Sequence, residues 1–84
     1  MIINNIIHSL IEDRINKADA RYGPFTSTHE AMGVALEEWD ELRLAIKSND
    51  LKSVEYECID LASVLIRLAG MMRESGYSHE RSGK

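Results

Sequence analysis

Apolar residues recur along most of this chain at the three- and four-residue spacing of an α-helix, and short polar stretches interrupt that pattern. The first apolar segment covers residues 3–21 and carries isoleucines at helical spacing. It stops at "YGPF", where Gly23 permits a positive φ and Pro24 disfavours a helical conformation in the residue before it. We therefore predict a first helix over residues 3–21.

Two further helices are predicted from their start and stop signals. Ser27 and Glu30 have the spacing of a capping box, and the helix that they open ends at about residue 47, before the turn-forming "SND". The third helix is predicted from Leu51 to about residue 74, with Asn49 or Asp50 as its N-cap. The predicted fold class is therefore all-α: a three-helix chain in which the second and third helices form an antiparallel hairpin.

The apolar surface of the third helix is wider than two companion helices would cover. One stripe consists of Val54, Cys58, Leu61, Leu65, Leu68 and Met72. The adjacent face holds Ile59, Ala62, Ile66 and Ala69, with Val64 and Met71 beyond it. On the second helix the predicted core stripe is Ala35, Trp39, Leu42 and Ile46. A second copy of the chain is the simplest cover for so wide a face, so we predict a helical bundle completed by homodimerisation.

Composition narrows the class of protein further. The 84 residues are predicted to form one domain over residues 1–76, followed by a polar, disordered tail over residues 77–84. The formal net charge of −4 argues against nucleic acid or an anionic membrane as a partner. No apolar run approaches the ~20 residues of a membrane span, and the N-terminus lacks the basic residues of a signal peptide. With a single cysteine, which cannot form an internal disulfide, we expect a cytoplasmic protein.

Two pairs of acidic residues stand out against this helical background. Glu38 and Glu41 are three residues apart on the second helix, and Glu57 and Asp60 are three apart on the third, so each pair shares one helix face. None of the four has a basic residue three or four positions away on its own helix. In an antiparallel hairpin the two pairs lie at similar heights, and the four carboxylates are expected to face one another.

Carboxylates without histidine favour a hard divalent cation, which means Mg²⁺, with Mn²⁺ as the alternative. A di-iron bundle would use Glu-x-x-His pairs, and this chain has an acid at both of the corresponding positions. A cluster of this kind usually acts on phosphate. The competing interpretation is a solvated acidic face, because like-charge pairs on an exposed helix cost only about 0.2–0.5 kcal/mol each.

The acidic segments also resemble a known family. "EEWDE" followed by "ECID" resembles the ExxE…ExxD signature of the MazG-like all-α nucleoside triphosphate pyrophosphohydrolases. The longer stretches "YGPFTSTHEAMGVALEEWDEL" and "IDLASVLIRLA" are similar to a small subgroup of that family, in which a "YGPF" turn precedes a helix that starts with "HE". The resemblance covers residues 22–69.

That resemblance implies an enzyme that hydrolyses a ribo- or deoxyribonucleoside triphosphate to the monophosphate and pyrophosphate, clearing surplus or non-standard nucleotides. It implies that Glu38, Glu41, Glu57 and Asp60 bind Mg²⁺, with Glu38 and Glu41 as the catalytic residues. It also implies a homodimer or a dimer of dimers. No glycine-rich phosphate loop occurs in the chain, so phosphate is expected to be held through the metal and a few basic side chains.

The candidates for that phosphate-binding role are Arg67, two turns beyond Asp60 on the third helix, and Lys17 and Arg21 on the first helix. A surface or inter-subunit salt bridge is the alternative role for Arg67. Two other functions remain open at this level. The chain can be a non-catalytic helical oligomer or adapter that binds nucleotide or metal without turnover. It can also be a purely structural oligomer whose acidic residues are solvated.

Overall fold

The computed structural model describes residues 1–76 and contains three helices: α1 (Asn5–Tyr22), α2 (Thr28–Lys47) and α3 (Leu51–Ser75). The prediction of a three-helix, all-α chain is confirmed for these residues. The predicted disordered tail, residues 77–84, lies outside the described part of the chain. Among the described helices, none combines the length and the apolar character that crossing a membrane requires.

Each helix begins at a side chain that accepts hydrogen bonds from its first turn. The side-chain Oδ1 of Asn4 accepts from the backbone N–H of Ile6 at 2.8 Å and of Ile7 at 3.2 Å. This cap sets the start of α1 at Asn5. The start at Ile3 that the apolar pattern had predicted is therefore two residues too early. A polar side chain therefore overrides the isoleucine spacing at this end.

The start of α2 differs in one detail from a reciprocal capping box. Ser27 Oγ accepts from the Glu30 backbone N–H at 3.0 Å, as predicted. The Glu30 carboxylate, however, reaches back to Thr26, whose backbone N–H donates to Glu30 Oε1 at 2.6 Å. The box closes one residue earlier than expected, and it ties the end of the "YGPF" turn to the first turn of α2.

The connection between α2 and α3 is a three-residue turn over residues 48–50. Asn49 adopts a positive φ of 59°, a conformation that asparagine tolerates better than most residues. Asp50 is the N-cap of α3, because its carboxylate accepts from the backbone N–H of Ser53 at 3.2 Å and from its hydroxyl at 2.8 Å. This short turn reverses the chain, so that α3 folds back against α2.

Helix α3 is the centre of the fold, and the other two helices flank it. Both α1 and α2 contact α3, whereas in the described part of the chain no Cα atom of α1 lies within 8 Å of one in α2. The carboxylates of Glu38 and Glu57 meet two to three turns from the connecting turn, so α2 and α3 are antiparallel as predicted. Arg14 contacts Asp60 and the later Asp19 contacts the later Arg67, so α1 and α3 run in the same direction.

The core between α2 and α3 is built from small and medium side chains. The buried apolar residues are Ala31, Leu42 and Ala45 of α2 with Ile59 and Val64 of α3. Ser63 is buried beside them and donates its hydroxyl proton to the Ile59 carbonyl at 2.7 Å. No large side chain among the described residues is fully buried. The chain alone therefore has a thin core.

The predicted core stripes are wrong at several positions. Trp39 is 50% exposed, and Ile46 and Leu65 are exposed to a similar extent. Cys58, predicted to be a small core residue, is also exposed. The reason is that α2 turns its small residues Ala31 and Ala45 toward α3, which brings the helices close together and leaves the bulkier apolar stripe outside.

Candidate metal centre

Three of the four predicted carboxylates converge between α2 and α3. Glu38, Glu41 and Glu57 each offer a carboxylate oxygen, and these oxygens all lie within 4.8 Å of one another. Glu38 and Glu57 are partly buried, whereas Glu41 is exposed at the edge. The i,i+3 spacing on α2 and the short turn to α3 thus bring together the side chains that the sequence predicted.

Two oxygens of this cluster are buried without a hydrogen-bond partner among the described residues: Glu38 Oε1 and Glu57 Oε1. A buried carboxylate oxygen without a donor is unfavourable, and nearly all such atoms in folded proteins have a partner. A cation coordinated by these oxygens would satisfy both at once. The donors are all carboxylate oxygens, so the cluster fits a hard divalent cation such as Mg²⁺ or Mn²⁺.

Without a bound cation, burial and the repulsion between neighbouring carboxylates raise the pKa values of two members of the cluster. Burial raises the pKa of Glu38 from its ordinary 4.5 to about 7, and the negative charges of Asp60, Glu41 and Glu57 add to that effect. Burial and the charges of Glu41 and Asp60 also raise the pKa of Glu57. The positive charge of Arg14 opposes both shifts.

The sequence predicted a fourth carboxylate, that of Asp60, in this cluster, but Asp60 lies outside the three-glutamate group. Its Oδ1 accepts a hydrogen bond from Arg14 Nη1, and the two side chains form a salt bridge. No basic residue lies within four positions of Asp60 on its own helix, as the sequence indicated, but α1 supplies one. Sequence reasoning missed Arg14, although it lies three residues before the candidate Lys17 and so on the same face of α1.

A groove of about 570 Å³ lies between α1 and α2, with α3 as its floor. Glu37 and Glu38 line the side that α2 provides, and Asp60 lies on the floor. Arg14, Lys17 and Arg21 line the side that α1 provides. The groove exists because α1 and α2 both pack on α3, while among the described residues no Cα atom of one lies within 8 Å of a Cα atom of the other. One wall therefore offers carboxylates and the opposite wall offers cations.

The predicted phosphate ligand Arg67 lines this groove but already has protein partners. Its Nε donates to Asp19 Oδ1 at 3.0 Å, and its Nη2 donates to the Gly23 carbonyl at 2.7 Å. The guanidinium also lies 4.4 Å from the centre of the Phe25 ring, and only 9% of the side chain is exposed. The observed salt bridge lies within the chain and is largely buried on the Arg67 side, unlike the surface or inter-subunit salt bridge that was the alternative role. Together these contacts anchor the "YGPF" turn to α3.

Lys17 and Arg21 are more available. Lys17 Nζ lies 3.0 Å from Asp13 Oδ2, a surface pair within α1, and the lysine side chain is largely exposed. The Arg21 guanidinium lies 5.3 Å from the centre of the neighbouring Tyr22 ring. Pairs of this kind are weak, so both cations can turn toward a ligand in the groove at little cost.

Comparisons with known proteins identify no relative from which the role of this site could be inferred. No protein-family model matches the chain, and no curated protein or solved structure matches it either. The inference about function therefore rests on the geometry of the cluster, on the groove beside it, and on the motif resemblance of residues 22–69.

Proposed function

We propose that this chain is a Mg²⁺-dependent nucleoside triphosphate pyrophosphohydrolase that acts in the cytoplasm. The observation that carries the proposal is the pair of buried, unpartnered oxygens of Glu38 and Glu57 within a three-glutamate cluster. One member of this cluster, Glu38, also lines a groove whose other wall is basic. A divalent cation beside bound phosphates is the ligand combination that such an arrangement accommodates best.

Glu38, Glu41 and Glu57 would hold the cation, with Asp60 next to them. When bound, Mg²⁺ neutralises charge on phosphoryl oxygens and lowers the pKa of water. Mn²⁺ meets the same set of donors. Glu38, which also lines the groove, would be the candidate to accept a proton from an attacking water. The more exposed Glu41 stands beside it as a second candidate for orienting that water.

The groove fits a nucleotide in size and in charge. Its volume of about 570 Å³ lies within the ~300–1,000 Å³ range of small-molecule sites. Lys17 and Arg21 on α1 face the side where phosphate charge would accumulate, and Arg67 shapes the turn that closes one end. The choice of the α–β phosphoanhydride as the bond to be cleaved comes from the resemblance of residues 22–69 to the pyrophosphohydrolase family.

We further propose that the working form is a homodimer or a dimer of dimers. The exposed face of α2 carries an apolar stripe at helical spacing: Met32, Leu36, Trp39 and Ile46. Side chains of this size in one stripe are unusual on a monomer surface. A second copy of the chain would cover the stripe and thicken a core that contains few large residues.

Product analysis tests this proposal directly. The purified protein is incubated with Mg²⁺ and a panel of ribo- and deoxyribonucleoside triphosphates, and the products are separated by anion exchange. Glu38→Gln removes the proton acceptor and one cation ligand, so we expect turnover to fall by at least about 100-fold. Glu55→Gln is the matched control, because Glu55 is exposed on α3 and lies outside the cluster and the groove.

Monophosphate and pyrophosphate from the wild type and Glu55→Gln, but not from Glu38→Gln, would support the proposal. Diphosphate and orthophosphate would contradict cleavage of the α–β bond. No turnover across the panel, together with a Tm that rises on adding Mg²⁺, would favour the alternative function, a non-catalytic module that binds metal or nucleotide.

A further inference from the structure

The salt bridge between Arg14 and Asp60 connects α1 to the acidic cluster. Asp60 is largely buried, with 20% of its side chain exposed, and Arg14 reaches it from the wall of the groove. The contact is an interaction between helices that are far apart in sequence, unlike the local pairs Lys17–Asp13 and Arg43–Asp40. It therefore has a place in the tertiary structure that those surface pairs lack.

Arg14 supplies positive charge where the cluster needs it most. Its guanidinium bonds to Asp60, which follows Glu57 by three residues and therefore shares its face of α3, although it bonds to neither Glu38 nor Glu57 in the described structure. A divalent cation at the three glutamates would perform the same balancing role with twice the charge and at shorter range. Arg14 and such a cation are therefore competitors for the same negative field.

We propose that Arg14 is an exchangeable counter-ion of the acidic cluster: a divalent cation that binds Glu38, Glu41 and Glu57 draws Asp60 toward itself and releases Arg14 into the groove. The inference rests on the proposed metal site and adds a residue from α1 to its control. The released guanidinium lies on the same wall as Lys17 and Arg21, where a phosphate can replace Asp60 as its partner.

A second role for Arg14 makes the opposite prediction. If the salt bridge positioned Asp60 as a ligand, removing Arg14 would weaken metal binding, because Asp60 would lose its orientation. If Arg14 is a competitor, removing it must strengthen metal binding. The sign of one affinity change therefore distinguishes an exchangeable counter-ion from a positioning residue.

The experiment is a calorimetric titration of MgCl₂, and separately of MnCl₂, into the wild type, Arg14→Gln and Lys17→Gln at pH 8 and constant ionic strength. We expect Arg14→Gln to bind either cation about tenfold more tightly than the wild type, within the range of typical coupling between two sites. Lys17→Gln is the matched control, since it removes the same charge one turn further along α1. We expect its affinity to stay within about twofold, because Lys17 already pairs with Asp13.

An affinity in Arg14→Gln that equals the wild-type value or falls below it overturns the exchange while leaving the metal site in place. An equal gain in Lys17→Gln also overturns it, because the effect would then be one of overall charge. Binding by Arg14→Gln with none in the wild type supports the exchange. Absence of binding in every variant overturns the metal site itself, and the exchange with it.

A second measurement covers the case in which Arg14→Gln does not fold. In wild-type protein labelled with ¹⁵N-arginine, the side-chain Nε–H signal of Arg14 is assigned by its absence from Arg14→Lys. On adding Mg²⁺ we expect this signal to shift toward that of a solvated guanidinium, while the signal of Arg67 keeps its position. An Arg14 signal that stays unchanged while the cluster binds metal overturns the proposal.

Discussion

Glu38 shows how one side chain acquires its chemistry from its position on a helix. It lies on the line of α2 that also carries Ala31 and Leu42, so it points toward α3 and is partly buried, with its Oε1 shielded from water. Its neighbour Glu37, one position earlier, is exposed. A glutamate on the solvent side of α2 would be an ordinary surface acid. At this position burial raises the pKa of the carboxyl group to about 7.

The stability of the metal-free protein should therefore fall as pH rises from about 5 to 8. Because the folded-state pKa of Glu38 is about 7 and its ordinary value is 4.5, the folded protein holds more protons than the unfolded chain between these values. The free energy of unfolding then decreases with pH over that window, and the raised pKa of Glu57 adds in the same direction. Allowing for screening by solvent, we expect a loss of about 1–2 kcal/mol.

Urea unfolding in the presence of a chelator, at intervals between pH 5 and 8, measures this slope. Glu38→Gln should flatten the slope and be more stable than the wild type at pH 8, whereas Glu55→Gln should keep the wild-type slope. Adding Mg²⁺ at pH 8 should restore stability to the wild type. A stability that rises with pH and does not depend on residue 38 would contradict the electrostatic description of the cluster.

At the scale of the helices, α3 holds the molecule together because both other helices depend on it. The hairpin with α2 is fixed by the turn over residues 48–50 and by close apolar packing. The contact between α1 and α3 depends more on charge. Near the middle of α1, Arg14 bonds to Asp60 of α3. Near the end of α1, Asp19 and the following Gly23 accept hydrogen bonds from Arg67 of α3. These two arginines therefore have different roles: Arg14 bonds to Asp60 beside the acidic cluster, and Arg67 anchors the turn.

Replacing Arg67 should destabilise the fold. Arg67→Met keeps much of the side-chain length but removes both charged hydrogen bonds and the stacking on Phe25, so we expect a loss of about 2 kcal/mol. The control is Arg43→Met, which breaks an exposed pair with Asp40 and should cost no more than about 0.5 kcal/mol. Chemical denaturation measures both values. Equal losses would show that Arg67 does not anchor the turn.

Features that depend on local structure could be predicted from the sequence, whereas contacts between helices far apart in sequence could not. The N-cap at Ser27, the turn after Lys47 and the carboxylates of Glu38 and Glu57 all follow from spacing within a helix or across a short turn. The pairing of Arg14 with Asp60 does not, because it depends on how α1 is placed against α3, which no local signal specifies. For the same reason the periodicity of α2 identified an apolar stripe but placed Trp39 in the core.

At the scale of the whole molecule, the exposed apolar stripe of α2 remains to be covered. Trp39→Ser should weaken self-association, raising the dissociation constant at least about tenfold, because a tryptophan in the middle of an interface commonly contributes more than about 1.4 kcal/mol. Sedimentation velocity over a range of concentrations measures it. The control is Ile2→Ser, an equally apolar change at an exposed residue that precedes α1. A wild-type chain that is monomeric at every concentration would contradict the dimer.

The gap between α1 and α2 also bears on how this protein can change over generations. The acidic residues belong to the α2–α3 hairpin, whereas the basic wall of the groove belongs to α1, and these two parts share α3 as their only support among the described helices. Substitutions at Lys17 or Arg21 can therefore alter what the groove accepts without disturbing how α2 packs on α3. Ligand preference can therefore change while the carboxylates keep their positions, and a library confined to Lys17 and Arg21, which leaves the Arg14–Asp60 salt bridge intact, is the natural starting point for redirecting this scaffold.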